Sequence, residues 1–291
     1  MVAAGRRKRV FLAGCENARA LDVEAASWGL NEFSLVEAAG RLCAECCVAA
    51  LPDIFAGGAR EMPGVLALAG SGNNAADALV MLRTLVVSGY ADPACALALI
   101  TKLPPEDEVS PLANAVKSLQ SMDIPVVVWD VRDADLLGGP DLIIDGITGT
   151  GLKGPLAGKA LEMVEAATRL REMGVQTPVA AIDVPSGIFD GWKPGMPVLE
   201  ADITLAVEPR KLCLYNLAAR PFAGRIVPVE NIFPQVLIER YGEAELLDWE
   251  KCAARILKIK SSAYKYERGL VEIHAGCEGA AGAACLAARG A

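Results

Sequence analysis

The chain has 291 residues, 53% of them hydrophobic, enough to bury the core of one large domain or two smaller ones. A formal net charge of -8 argues against nucleic acid, whose phosphates demand a basic stripe, and no run approaches the ~18 apolar residues of a membrane span. Nine cysteines, odd in number and irregular in spacing, suit a reducing cytoplasm better than a disulfide framework, and a single histidine, His274, rules out a histidine-built zinc site.

In chain order, the basic run Arg6-Arg7-Lys8-Arg9 reads as a solvated start. Leu12-Ala13-Gly14-Cys15 imitates a lipoprotein cleavage site, but the apolar stretch over 10–14 is shorter than the roughly 7–15 residues of a secretory signal. Residues 18–30 and 34–51 read as helices, the second opened by Ser34 as N-cap with Glu37 three positions on. The C-x-x-C of Cys43 and Cys46 lies in that helix without a paired second motif, so its thiols read as small core residues. Continuous apolar runs then predict buried strands at 65–69, 95–100, 126–129, 142–144, 179–182 and 203–207, with an added edge strand at 225–229. They alternate with helical patterns at 76–88, 112–121 and 160–173. That alternation predicts an α/β fold: a doubly wound, Rossmann-like three-layer sandwich with a mainly parallel central sheet. Residues 234–260 read as a closing helix and linker. A strand at 268–273 and a helix at 283–289 follow, one βα unit that cannot bury its own faces. It either docks on the main domain or opens a second one.

Three polar loops follow the predicted strands: Gly70-Ser71-Gly72-Asn73-Asn74-Ala75-Ala76-Asp77, Asp145-Gly146-Ile147-Thr148-Gly149-Thr150-Gly151-Leu152-Lys153-Gly154-Pro155, and Asp183-Val184-Pro185-Ser186-Gly187. Loops after parallel strands gather at one sheet edge, where ligands bind. The first two pass for a dinucleotide fingerprint, but the strand after the first ends in Ile100-Thr101-Lys102 without the ribose-binding acid, and Pro155 interrupts the second. An ordinary nicotinamide oxidoreductase is therefore a minor alternative. Asp77, read in the first turn of a helix, competes with a phosphate for the positive helix end or simply complements the dipole. Asp145, ending a buried strand, is expensive to leave unpaired, and a hard cation would account for Asn74, Asp145 and Ser186 together.

The three motifs in this order resemble the NAD(P)H-hydrate epimerase family, the N-terminal half of the bifunctional NAD(P)H-hydrate repair enzyme. Supporting matches are Leu35-Val36-Glu37-Ala38-Ala39-Gly40, Met122-Asp123-Ile124-Pro125, and Ala201-Asp202-Ile203-Thr204 with Lys211. The resemblance implies an isomerase that epimerises the hydrated nicotinamide ring of damaged NADH or NADPH at C6. It implies substrate binding by Asn73, Asn74, Ala75, Ala76, Asp77, Gly149, Thr150, Gly151, Leu152, Lys153, Gly154, Pro155 and Asp183. Asp183 is the expected general acid/base, Lys153 the expected pyrophosphate contact, and potassium the expected cofactor, held by Asn74, Asp145 and Ser186. Expected domains are an epimerase-like domain over 1–235, a linker over 236–260 and the truncated start of a ribokinase-like, ADP-dependent dehydratase domain over 261–291, without dehydratase activity of its own. The expected partners are the small molecule NAD(P)HX, a functionally coupled dehydratase and, left open, a second copy in a homodimer; nucleic acid and membrane are not expected. Three family glycines are Ala75, Ala76 and Ala78 here, and alanine would cost about 1–2 kcal/mol wherever a left-handed backbone is needed. The alternative reading is therefore a catalytically weakened nucleotide-binding or protein-interaction module of the same fold.

Overall fold

The computed structural model describes residues 9–55, 62–247, 252–253 and 260–290. Chain order runs β1 (Phe11–Ala13), α1 (Cys15–Ser27), α2 (Glu32–Ala50), α3 (Pro52–Phe55), β2 (Val65–Ala69), α4 (Asn73–Val87), β3 (Ala96–Ile100), α5 (Pro111–Gln120), β4 (Val126–Val128), β5 (Leu142–Gly146), α6 (Gly158–Glu172), β6 (Val179–Ile182), β7 (Ile203–Val207), β8 (Arg210–Lys211), β9 (Arg225–Val229), α7 (Gln235–Tyr241) and β10 (Ala244–Glu245). These elements form one compact unit, Met1–Leu246. A second unit, Leu247–Ala291, carries α8 (Gly282–Gly290).

Seven strands form an all-parallel sheet in the order β4-β3-β2-β5-β6-β7-β9. The central strands are buried on both faces, so their side chains alternate between two apolar layers rather than between core and water. On β2, Val65, Ala67 and Ala69 pack with residues of α2, α4 and α5, whereas Leu66 and Leu68 pack with Met163 and Val164 of α6. Three layers result. Helices α2 and α4 approach closely at Gly40 of α2, where a Cβ would lie 2.5 Å from Val80 and 2.8 Å from the Asp77 carbonyl. Arg83 of α4 clamps both Glu37 oxygens at 2.6 and 2.7 Å across the same contact.

Several boundaries differ from those expected. Asn31, not Ser34, caps α2, its side chain accepting from the Ser34 N–H, and Glu37 serves the clamp instead of a capping box. The lipoprotein-like stretch spans the end of β1 and the start of α1, and β1 pairs parallel with β8 and antiparallel with β10 in a separate three-stranded sheet. The pairing explains its short apolar run: a two-neighbour strand needs only three residues to be fixed. Helix α7 and β10 extend the main unit past the expected boundary at 235 to Leu246. Residues 268–273 adopt no strand, whereas the helix expected over 283–289 is α8. Residues 248–251 and 254–259 of the expected linker, and the residues of the basic run before Arg9, lie outside the described residues.

Candidate functional site

From β2 the chain winds outward through β3 to β4, then returns to β5 and winds the other way through β6 and β7 to β9. The loops leaving β2 and β5 therefore diverge, which opens a crevice at the carboxyl ends of the strands. A cavity of about 710 Å³ occupies it, closed on the far side by α1 and α2. Two glycines bring the walls together. A Cβ on Gly70 would sit 1.9 Å from the Ile147 carbonyl oxygen, and one on Gly149 would sit 2.9 Å from the Asn74 Cβ. Gly72 and Gly151 face open space within the same lining. Helix α4 starts at Gly72 with no side chain capping it, so its first N–H groups are left for a ligand, as phosphates favour.

At the foot of the cavity, Asp183 and Lys211 form a buried ion pair, Nζ to Oδ1 2.7 Å. Lys211 reaches there because β8 is pinned beside β1, and its ammonium also donates to the Val207 carbonyl at 3.0 Å. Asp183 follows β6 with φ +64°, in a turn closed by the Val184 N–H donating to the Ile182 carbonyl at 2.7 Å. A three-residue turn with positive φ at its centre is the rare, strained form, and aspartate tolerates it better than most residues. Burial pushes the Asp183 carboxyl up, with Lys211 opposing the shift. Asp77 stands in the second turn of α4, with Oδ1 buried and lacking a hydrogen-bond partner among the described residues. Burial first, then Asp183 and Asp22, push its pKa well up. Asp22 of α1 opens onto the cavity and is pushed up to about 6, chiefly by surrounding protein, against the pull of Lys211. Three carboxyls share one ammonium, so protonation of one stabilises ionisation of another.

Behind the cavity wall, Asp145 is fully buried. Its Oδ1 accepts from Ser186 Oγ at 2.5 Å and the Ile147 N–H at 3.2 Å, and its Oδ2 from the Ser186 N–H at 2.8 Å. Ser186 Oγ also accepts from the Thr148 N–H at 2.9 Å, and Asn74 Nδ2 donates to the Thr148 carbonyl at 2.9 Å. Among the described residues no cationic side chain pairs with Asp145, and burial pushes its pKa up to about 6 despite these donors. A buried carboxylate without a cation, joined through hydroxyl, amide and carbonyl groups, is a donor set that fits a hard monovalent ion.

The cavity is lined by nine of the expected site residues: Asn73, Asn74, Ala75, Asp77, Gly149, Thr150, Gly151, Leu152 and Asp183. Asp145 and Ser186 form the network behind them. Four expected residues stand elsewhere. Ala76 is buried in the core under α4, because the helix begins three residues earlier than expected and turns its side chain inward. Lys153, Gly154 and Pro155 lie outside the lining, where the chain leaves the cavity for α6. The early start also moves Asp77 out of the first turn, so it does not compete with an anion at the helix end. Ala75, Ala76 and Ala78 all lie in right-handed helix, so no left-handed strain arises there. Arg19, Asp22, Glu32, Glu208 and Lys211 line the cavity too. Of these, sequence singled out only Lys211. Asp22 and Arg19 sit three apart on one face of α1, a spacing visible in the sequence but indistinguishable there from an ordinary solvated face.

A fold of this kind has been seen before: the crystal structure of yeast ynu0 superposes with a TM-score of 0.67 over 82% of this chain and 96% of its own, at 20% identity. A protein from Rhodopirellula baltica named NAD(P)H-hydrate epimerase is 28% identical over 78% of this chain and 87% of its own length. Proteins named bifunctional NAD(P)H-hydrate repair enzyme from Hyperthermus butylicus and Gloeobacter violaceus are 32% and 31% identical, over 89% and 96% of this chain. The chain spans 44% and 53% of those two, about half their length. The family described as YjeF-related protein N-terminus matches residues 32–213, a stretch that runs from α2 to just past Lys211 and contains all three loops of the cavity. With more than half its length and the three loops of its cavity inside that match, the chain belongs to the YjeF-related N-terminal family.

Proposed function

We propose that this chain is an NAD(P)H-hydrate epimerase, interconverting the R and S forms of NADHX or NADPHX. The observation that carries the reading is the buried Asp183–Lys211 pair at the foot of the cavity, with Asp77 and Asp22 in electrostatic reach. The names of the relatives supply the substrate. Epimerisation at C6 needs a proton delivered to the leaving hydroxyl and a proton removed from the returning water. As the ring nitrogen pushes out the hydroxyl, an acid converts it to water. Water then adds to the opposite face of the resulting iminium carbon and gives its proton back to the base. Asp183 exchanges that proton, and Lys211 stabilises its charged form. Asp77, whose carboxyl burial and neighbouring negative charge push toward the protonated form, is the second proton source.

The uncapped start of α4 and Arg19 are placed to take the pyrophosphate, a role that the position of Lys153 does not support. Potassium held by Asn74, Asp145 and Ser186, with the Thr148 carbonyl, would neutralise the buried carboxylate and fix the 147–151 wall. Its contribution is to the shape of that wall. The backbone-strain motive for a weakened module falls away, since the three alanines lie in right-handed helix, and only the Ala75 methyl at the cavity wall bears on it. The odd number and irregular spacing of the nine cysteines support a reducing cytoplasmic setting, and the bifunctional relatives support coupling to an ADP-dependent dehydratase.

The test is purified R-form hydrate, followed by chromatographic separation of the epimers. The protein should speed interconversion, and Asp183→Asn should lower turnover by about 10²–10⁴-fold while leaving nucleotide affinity near that of the parent. A variant keeping more than about a tenth of the rate would remove Asp183 from the chemistry.

A further inference from the structure

The Gly14-Cys15 step is unused by the reading above, yet the fold gives it a partner. Parallel pairing of β1 with β8 sets Ala13 beside Lys211. Two residues beyond that pair, past the ends of both strands, stand Cys15 and Cys213, both buried. Asp190, exposed in the loop after β6, closes the group: its Oδ2 accepts the Cys15 N–H at 2.7 Å. The two thiol sulfurs and a carboxylate oxygen all lie within 4.8 Å of one another. Three separate segments of chain thus deliver two soft ligands and one oxygen ligand to one point.

We propose that Cys15, Cys213 and Asp190 form a binding site for a thiophilic divalent cation of the zinc class, with water as the fourth ligand. Four-coordinate zinc has bonds of about 2.0–2.3 Å, so its ligand atoms stand roughly 3.5 Å apart, and contraction by about 1 Å completes the set. Rotation of the Asp190 side chain and of either thiol supplies that movement. Val184, Ile188, Phe189 and Trp192 pack around both cysteines and keep one side dry, while exposed Asp190 leaves the other open to water. In the metal-free protein Cys213 stays a thiol, its pKa pushed up first by Cys15 and then by burial. Binding therefore releases protons, and affinity rises with pH. The consequence is positional. The cation would tie the start of α1, which carries Asp22, to the segment that carries Lys211, fixing both above Asp183.

Full-length protein, reduced and treated with a chelator, is titrated with Co²⁺ and then Zn²⁺. One Co²⁺ per chain with a thiolate charge-transfer absorption, displaced by Zn²⁺, is the expected result. Zinc-edge X-ray absorption of the parent should then show two sulfur and two oxygen ligands. Asp190→Asn retains the cap on the Cys15 N–H and should weaken binding at least about tenfold. Cys213→Ser should abolish the absorption. Absence of the absorption, a first shell without two sulfurs and two oxygens, or unchanged affinity in Asp190→Asn would each overturn the site, as would a reduced parent that forms a Cys15–Cys213 disulfide in air but takes no metal.

Discussion

Asp145 combines complete burial with a carboxyl pushed up to about 6 from 3.8. Between those values the folded protein holds a proton that the unfolded chain has lost, so this group's contribution to stability falls as pH rises from about 4 to about 6. The loss is about 3 kcal/mol by linkage. Burial shifts Asp183 and Asp77 in the same direction, but neither sits in the oxygen network behind the wall. A cation at Asp145 would relieve only its own share. In choline chloride the thermal midpoint should therefore drop between pH 5 and pH 8. Potassium chloride should restore part of it at pH 8 and little at pH 5, and Asp145→Asn should lose the potassium effect. Equal midpoints in potassium and choline at pH 8 would count against the ion. At this scale the sequence placed Asp145 at the end of one buried strand and Ser186 in the loop after the next, and the two are joined by hydrogen bonds in the fold. It did not show Asp22, whose role depends on where α1 lies across the cavity.

Helix α4 decides the site's shape. Its first residue is Asn73, so the G-x-G-N-N stretch is a tight turn with the amides already in the helix. The alternating pattern of polar and small residues at 70–77 reads as a loop because the helix start carries no capping side chain to mark it. The strands were legible nearly to the residue: 65–69, 179–182, 203–207 and 225–229 coincide with β2, β6, β7 and β9. Short β1 and β8 were not, since each acquires its structure from the other through distant pairing. Helical alanines make a definite forecast. Ala75, Ala76 and Ala78 replaced together by glycine should destabilise the chain by roughly 1 kcal/mol per position and bring no gain in turnover. Denaturant midpoints and steady-state rates check this, and a faster glycine variant would mean that the Ala75 methyl obstructs substrate.

The molecule places its chemistry at the single point where the sheet's winding reverses, and every lining residue belongs to the unit ending at Leu246. Truncation after residue 247 should accordingly leave the unfolding midpoint of the main transition and the epimerisation rate within about twofold of the parent. A collapse of either would tie residues beyond 247 to the main sheet. Pattern and spacing carried the α/β class and the sheet-edge position of the loops; the order of the strands, and with it the switch point between β2 and β5, needed tertiary structure.

One measurement bears most directly on the claim that this cavity epimerises NAD(P)HX. Racemic hydrate is supplied to a separate, S-specific ADP-dependent dehydratase, with and without this protein, on a timescale too short for spontaneous interconversion. The dehydratase alone should stop after consuming about half of the hydrate. With this protein added, consumption should run to completion, and with Asp183→Asn it should again stop near half. A plateau at half in the presence of folded, nucleotide-binding parent protein would contradict the account.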